Sequence, residues 1–278
     1  MSSNRRFTRD YVLTIGVDGE KVTIKPPFEI SFSVVESILN RSLNKMNISI
    51  TGLTKETCQK LIKHEIDKEI YLPVEFLIGY KDSVIRVFKG SVRVGEMSRS
   101  GSSFVSSLEC YDGHPDFNES YTSRTVASGE LSLNSVLEDM PNTGKGVVTK
   151  DVRTTRPRVL VGASSALLSE LAEDKEFYIK DEKIFVINDD EVTSSLVPVV
   201  NADTGLKSTP IQDHINTTFV TVINPDLKIG GLCEIISVTN PSVNGVYKIY
   251  ESSPSGSYRG AWEQTVMCRP APNYKVVR

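Results

Sequence analysis

Three histidines, four cysteines and a few clustered carboxylates are the residues with chemical potential in this chain of 278 residues. His64, His114 and His214 lie in separate segments. Two histidines on one helix face would point to a metal, and His64 has no such neighbour. His114 stands beside Asp112 and Asp116, as a general base requires, but Gly113 and Pro115 flank it and favour a turn. Cys58, Cys110, Cys233 and Cys268 form no Cys-x-x-Cys pair, so they read as buried thiols. Glu36, Glu96 and Glu119 would serve a cell-wall hydrolase only with a close second carboxylate. Asn188-Asp189-Asp190-Glu191 is an acidic tip without the spaced oxygen ligands of a calcium loop, and reads as a solvated turn. Gly162-Ala163-Ser164-Ser165-Ala166 lacks the closing glycine of a nucleophile elbow. Gly144-Lys145-Gly146 is not followed by the Lys-Ser/Thr of a phosphate loop. The expectation is no catalytic residue, no cofactor and no metal.

Composition narrows the classes further. Apolar residues make up 39% and charged residues 24%, with a net charge of −3. Such a chain can bury a core, and it lacks the basic excess of a dedicated duplex binder. Met1 to Arg9 is polar and basic with no apolar segment after it, so no signal peptide is expected. No apolar run approaches the ~20 residues of a membrane span. Folding in a cytoplasm without membrane insertion is the expectation.

The elements that would position these residues are mostly strands. The organising stretch is Phe28 to Gly113. Alternating runs at Phe28–Val34, Asn47–Gly52, Leu72–Tyr80, Val84–Val94 and Ser103–Cys110 predict half-buried strands. One helix is predicted over Thr54–Glu69, with Thr54 as N-cap and Cys58, Leu61, Ile62 and Ile66 as its apolar stripe. Gly95 to Gly101 reads as a polar hairpin loop. Ahead of this stretch, Tyr11–Gly16 and Lys21–Ile24 form a hairpin around Asp18-Gly19, and Pro26-Pro27 marks a corner.

From Ser123 to Val192 the texture changes. Helices are predicted at Leu131–Met140 and at Ser164–Lys175, the second capped by Ser164 or Ser165. Gly146–Thr149 reads as a strand, and Arg153, Arg156 and Arg158 as a basic loop around Pro157. A hairpin follows, Glu176–Ile179 and Lys183–Ile187. The last part returns to strands at Phe219–Ile223, Leu232–Val238, Gly245–Glu251 and Trp262–Cys268. Asn244-Gly245 is a hairpin signal, and Asn224-Pro225-Asp226 and Asn240-Pro241-Ser242 are turns. The fold class is therefore α+β, mainly β. A small antiparallel barrel or sandwich is expected in residues 1–122 and a second, shorter one in 193–278, around a small α+β module, 123–192.

The second barrel reads as a shortened repeat of the first. Val74 to Cys110 spans 36 positions and Cys233 to Cys268 spans 35. Each covers three strands with a polar loop before the last. Ile48–Leu53 matches Val220–Pro225 in residue type. Two similar units per chain allow three chains to present six similar units in a ring.

Taken in order, several segments resemble the baseplate hub proteins of contractile-tailed bacteriophages. They are Phe28–Val34, Asn47–Thr54 leading into a helix, Ile78–Tyr80, Val87–Val92 and Cys110–Gly113. Asn224 to Gly231 resembles the family's asparagine-proline to proline-glycine pattern, with Ile229 where proline is common. Asn244–Lys248 resembles its asparagine-glycine-x-tyrosine-basic hairpin. The hub part of type VI secretion spike proteins shares the plan. The resemblance spans Tyr11 to Pro270 and implies a homotrimer with two tail-tube-like antiparallel β-barrels per chain, joining a six-fold tail tube, or a tube-initiation protein, to a three-fold central spike. It also implies passage of genome and tape-measure protein through a lumen, with DNA only in transit. Localisation would be the virion tail after assembly in the host cytoplasm. A tail-tube or tube-initiation ring protein is the first alternative, and a tail-associated wall hydrolase the second.

Overall fold

β-branched and aromatic residues alternating with polar ones place most of this chain in strands. The structure, a computed structural model, describes residues 9–17, 19–39, 43–64, 71–80, 83–128, 132–148, 156–172, 175–271 and 273–277. In chain order the elements begin with β1 (Arg9–Val17), β2 (Glu20–Ile24), β3 (Glu29–Ser37), β4 (Lys45–Leu53), α1 (Lys55–Lys60), β5 (Leu72–Tyr80), β6 (Ser83–Ser100) and β7 (Ser103–Tyr111). Next come α2 (His114–Glu119), β8 (Tyr121–Val126), α3 (Ser132–Leu137), β9 (Gly144–Val148), β10 (Arg158–Ala163), α4 (Ser164–Leu171), β11 (Glu176–Lys180) and β12 (Lys183–Ile187). The chain ends with β13 (Glu191–Val192), β14 (Val199–Val200), β15 (Ile211–Asp213), β16 (Asn216–Thr221), β17 (Leu232–Ile235), β18 (Gly245–Ser257), β19 (Trp262–Pro270) and β20 (Lys275–Val276). The fold is mainly β with a few short helices.

Thirteen strands share one sheet in the order β15-β16-β19-β18-β3-β4-β7-β6-β5-β1-β2, with β17 on β18 and β14 on β17. The strand β18 joins its two halves. Gly245 to Lys248 pairs with β17, whereas Glu251 to Ser257 pairs with β3, and the bulge at Tyr250 separates the two stretches. Smaller sheets hold β8 with β10, and β9 with β12 and β11. Three apolar clusters fill the interior. The first gathers residues up to Cys110 and takes in Trp262 from β19. The second is built on β16 to β19 and takes in Ile38 and Tyr178. The third lies among α3, α4, β11 and β12.

The repeat is visible in the strand register. β3-β4-β7-β6-β5 is matched by β15-β16-β19-β18-β17, all antiparallel. Cys110 lies opposite Met46 and Val92, and Cys268 lies opposite Thr217 and Ile249. Each long strand then bulges at the next residue, Arg93 in β6 and Tyr250 in β18. Arg93 sits 5.4 Å over the Tyr111 ring. At the matching positions the roles are exchanged, with Arg269 4.6 Å over the Tyr250 ring. Val74 opposite Gly90 corresponds to Cys233 opposite Tyr247, as the spacing from each to its cysteine requires. The other alignment is off by one: Ile48 corresponds to Phe219, not Val220, since these face Leu108 and Val266. Alternation decides this, because a one-residue slip turns the core side chains outward.

Several expected boundaries move. α1 ends at Lys60, and Thr54 does cap it by accepting from Thr57 N–H at 3.2 Å. Lys63 instead bridges β6 at Gly95, which ends any helix there; residues 65–69 of the expected helix, with Ile66, lie outside the described residues. Asp18, the turn residues Lys81 and Asp82, and Arg153 also lie outside them. Gly95 to Ser100 is not a loop but the continuation of β6. Gly95 is there because a Cβ would stand 2.0 Å from the Leu61 carbonyl oxygen. Gly95→Ala should therefore destabilise the protein by about 2 kcal/mol, read as a lower urea midpoint at unchanged slope.

The helices at Leu131–Met140 and Ser164–Lys175 shorten to α3 and α4. The N-cap of α4 is Ala163, and Ser164 is instead buried with its hydroxyl 2.8 Å from that of Thr122. β8, β10 and α2 were not expected, and their alternation is too short to stand out from loop sequence. Asn244-Gly245 makes no two-residue hairpin. Pro241 to Val243 is a 3-10 turn, and Asn244 Oδ1 accepts from Ser237 N–H at 2.7 Å.

Candidate functional site

Residues directly opposite on paired strands share a face. Ser257, Ser31, Ser49, Ser107 and Glu96 therefore form one row across β18, β3, β4, β7 and β6. Glu263, Ser255, Ser33, Asn47, Glu109 and Val94 form the next. The alternate residues Phe32, Ile48 and Leu108 are buried in the first core. The result is a continuous face of hydroxyls, amide and carboxylates that crosses the junction between the two halves. A recess of about 480 Å³ opens against it at Ser31, Ser33, Asn47, Ser49, Ser107 and Glu109. Short hydroxyls exchange hydrogen bonds with water readily, and the face carries no excess of positive charge to hold an anionic chain. Such a face can lie along a hydrated polymer without holding it. Lys45 neutralises Glu109 at 2.7 Å, and Lys207 does the same for Glu263 at 2.9 Å.

Behind this face, β11 clamps the junction with two buried ion pairs of opposite sense. At one end Lys180 pairs with Glu36 of β3. At the other, Glu176 meets Lys248 of β18 at 2.6 Å, with side chains only 11% and 3% exposed. Between them Asn44 Nδ2 donates to the Ile179 carbonyl at 2.6 Å. The turn after β11 adds Asp181 against Arg86 at 3.3 Å and Glu182 against Lys89 at 2.5 Å. Asp181 and Glu182 both adopt positive φ, the conformation of a tight two-residue hairpin. The buried Asp112 carboxylate accepts from Glu182 N–H at 2.6 Å.

Burial shifts these acids. Asp112 is pushed up to about 7, chiefly by desolvation, although the Glu182 N–H and Lys180 pull the other way. Glu176 is pushed up to about 7 for the same reason, against the pull of Lys248. Burial also raises Glu36. For Lys180, burial lowers the ammonium, but Glu36, Asp181 and Asp112 outweigh it and hold it above the usual lysine range.

The residues singled out by type are dispersed. His64 follows the Lys63 bridge, His114 opens α2, and His214 sits exposed in the β15–β16 turn. Glu36 belongs to the β3 ion pair, Glu96 to the polar face and Glu119 to the end of α2. The acidic tip is not simply solvated. Glu191 is buried and accepts from Asn188 N–H at 2.8 Å, Asp189 accepts from Tyr250 O–H at 2.7 Å, and Asp190 pairs with Lys275. All four cysteines are buried free thiols. The clamp carries no clear signal in the sequence: alternation puts Lys248 on the side opposite the core residues Tyr247 and Ile249, where a lysine is expected to meet water, yet it is buried.

What the fold defines is a mainly β protein built on one long antiparallel sheet with a continuous polar face. The chain belongs to the baseplate hub gp41 family, whose model matches residues 12–253. It is accordingly a phage tail baseplate component, a constituent of the virion. Among solved structures it is similar to the 43 kDa tail protein of prophage MuSo2 from Shewanella oneidensis, with a TM-score of 0.64 at 9% identity, covering 96% of this chain and 99% of that one. It is also similar to a tail protein from Neisseria meningitidis MC58, at 0.65 and 9%, covering 95% and 99%. A third is the E. coli c3393 protein, a type VI secretion component described as similar to the T4 tail proteins gp27 and gp5, at 0.64 and 9%, covering 95% and 79%. No curated protein matches the sequence itself.

Proposed function

We propose that three copies of this chain close into a ring that joins a six-fold tail tube, or its initiation protein, to a three-fold central spike. The observation that supports this is the matched register of β3-β4-β7-β6-β5 and β15-β16-β19-β18-β17, down to the bulge after the cysteine-facing residue. Two like units per chain let three chains offer six like units to a six-fold partner. Residues 1–122 and 193–278 supply those units, and 123–192 the module that braces them. The polar face lines the lumen, through which genome and tape-measure protein pass without lasting contact. The chain acts by geometry and not by catalysis, and it assembles in the host cytoplasm. Light scattering on the purified protein should give three times the 30.8 kDa chain mass. A count not divisible by three would overturn the reading, and clearing of purified cell walls would favour a hydrolase instead.

A further inference from the structure

Within one chain the two repeated units meet where β18 receives β3. Among the edges that the described strands leave open, two belong to the repeated units. The outer half of β6, Val94 to Ser100, pairs with β7 on one side; on the other, among the described residues, Gly95 is taken by Lys63 through two hydrogen bonds of 2.8 and 2.9 Å, and no strand pairs with Glu96 to Ser100. β15 pairs with β16 alone and ends the sheet. Its three residues are exposed, Ile211 at 70%, and Ile215 in the adjoining turn at 62%. Exposed edges carrying apolar side chains invite another strand.

The repeat says which strand. The outer half of β6 corresponds to the outer half of β18, so Glu96, Ser98 and Ser100 match Ser253, Ser255 and Ser257. β15 corresponds to β3, so Ile211 matches Ser33, because their partners Thr218 and Asn47 match. Within the chain β18 receives β3, with Ser255 opposite Ser33 and Ser257 opposite Ser31. Building on the ring reading above, we infer that β15 of one copy adds, antiparallel, to the outer half of β6 of a second copy. Ile211 then lies opposite Ser98. Lys63 already occupies Gly95, and Pro210 has no N–H and a carbonyl that already accepts from Asn240 Nδ2 at 3.1 Å, so the added strand is short, Ile211 to Asp213 against Glu96 to Ser98. Asp213 falls across from Glu96 at its inner end, the one unfavourable pairing, so added salt should tighten the junction. The contact is head-to-tail, and its repetition closes a ring in which the sheet continues across every boundary, with Ile211 on the same face as Ser98.

The test is a disulfide trap on the full chain carrying Ile211→Cys and Ser98→Cys. Directly opposed Cβ atoms lie within reach of a bond, and the four native cysteines are buried. Mild oxidation should link most chains into dimers and trimers on a non-reducing gel. The off-register pair Ile211→Cys with Val94→Cys should link several-fold less. A three-copy mass without the link, or equal linking in the off-register pair, overturns this junction and leaves the ring reading standing. The link in an assembly whose count is not divisible by three does the reverse. A chain that neither associates nor links overturns both.

Discussion

Lys180→Met should destabilise the protein by roughly 3 to 5 kcal/mol at pH 8, because it leaves the buried Glu36 carboxylate without its counter-charge. The loss should shrink as the pH falls, since Glu36, already raised by burial, can then take up a proton and become neutral. Glu36→Leu combined with Lys180→Met should recover most of the stability, because a buried pair replaced as a pair costs far less than one broken. Urea midpoints of the four species at two pH values form the cycle. Additive losses in the double variant would mean that the two side chains do not act on each other. The same variants carry functional weight, since β11 ties β3 and β18 where the two halves of the sheet meet. A loosened clamp should therefore also weaken the proposed three-copy ring at equal protein concentration.

Strand alternation made most of the main sheet legible: Tyr11, Leu13 and Ile15, or Ile48 and Ile50, announce their buried side directly. The repeat was legible too, because Cys110 and Cys268 sit at matched places with matched spacing from Val74 and Cys233. Its edge alignment slipped by one at Ile48, where hydrophobic type is shared by neighbours and only hydrogen-bond register decides. The glycine of β6 was misread because Gly95 looks like a loop residue. Its cause is the approach of the Leu61 carbonyl, a contact between segments that sequence does not display. The joining of the halves through β18 and β3 was not legible for the same reason: it pairs residues more than 200 positions apart. The clamp on that junction escaped because Glu36, Glu176, Lys180 and Lys248 are ordinary residues whose meaning comes only from burial.

The stability of this fold should contain a component that falls as the pH rises from about 5 to 8. Asp112 and Glu176 are both pushed up to about 7 by burial, far above their unfolded values. An acid whose folded value is raised binds its proton more tightly in the native state. Its contribution is complete below the unfolded value near 4 and is lost as the pH passes through 7. At about 1.4 kcal/mol per unit, the window from pH 5 to 8 removes on the order of 2 to 3 kcal/mol for each group. Around Asp112 stand Lys180, Glu36, Asp181 and the Glu182 N–H; around Glu176 stand Lys248, Asp189 and Tyr250. Other acids work in the opposite sense. Tyr250 and its neighbours hold Asp189 below the usual carboxylate range, so its contribution is lost as the pH falls. The wild-type curve is thus a composite, and the clean quantity is its difference from Asp112→Asn, which retains the acceptor for Glu182 N–H. Wild type should lose ground to that variant steadily between pH 5 and 8, and Glu176→Gln should behave alike through the second pair. A constant difference across the window would mean that these carboxyls keep ordinary values, and that the clamp is hydrated in solution rather than buried.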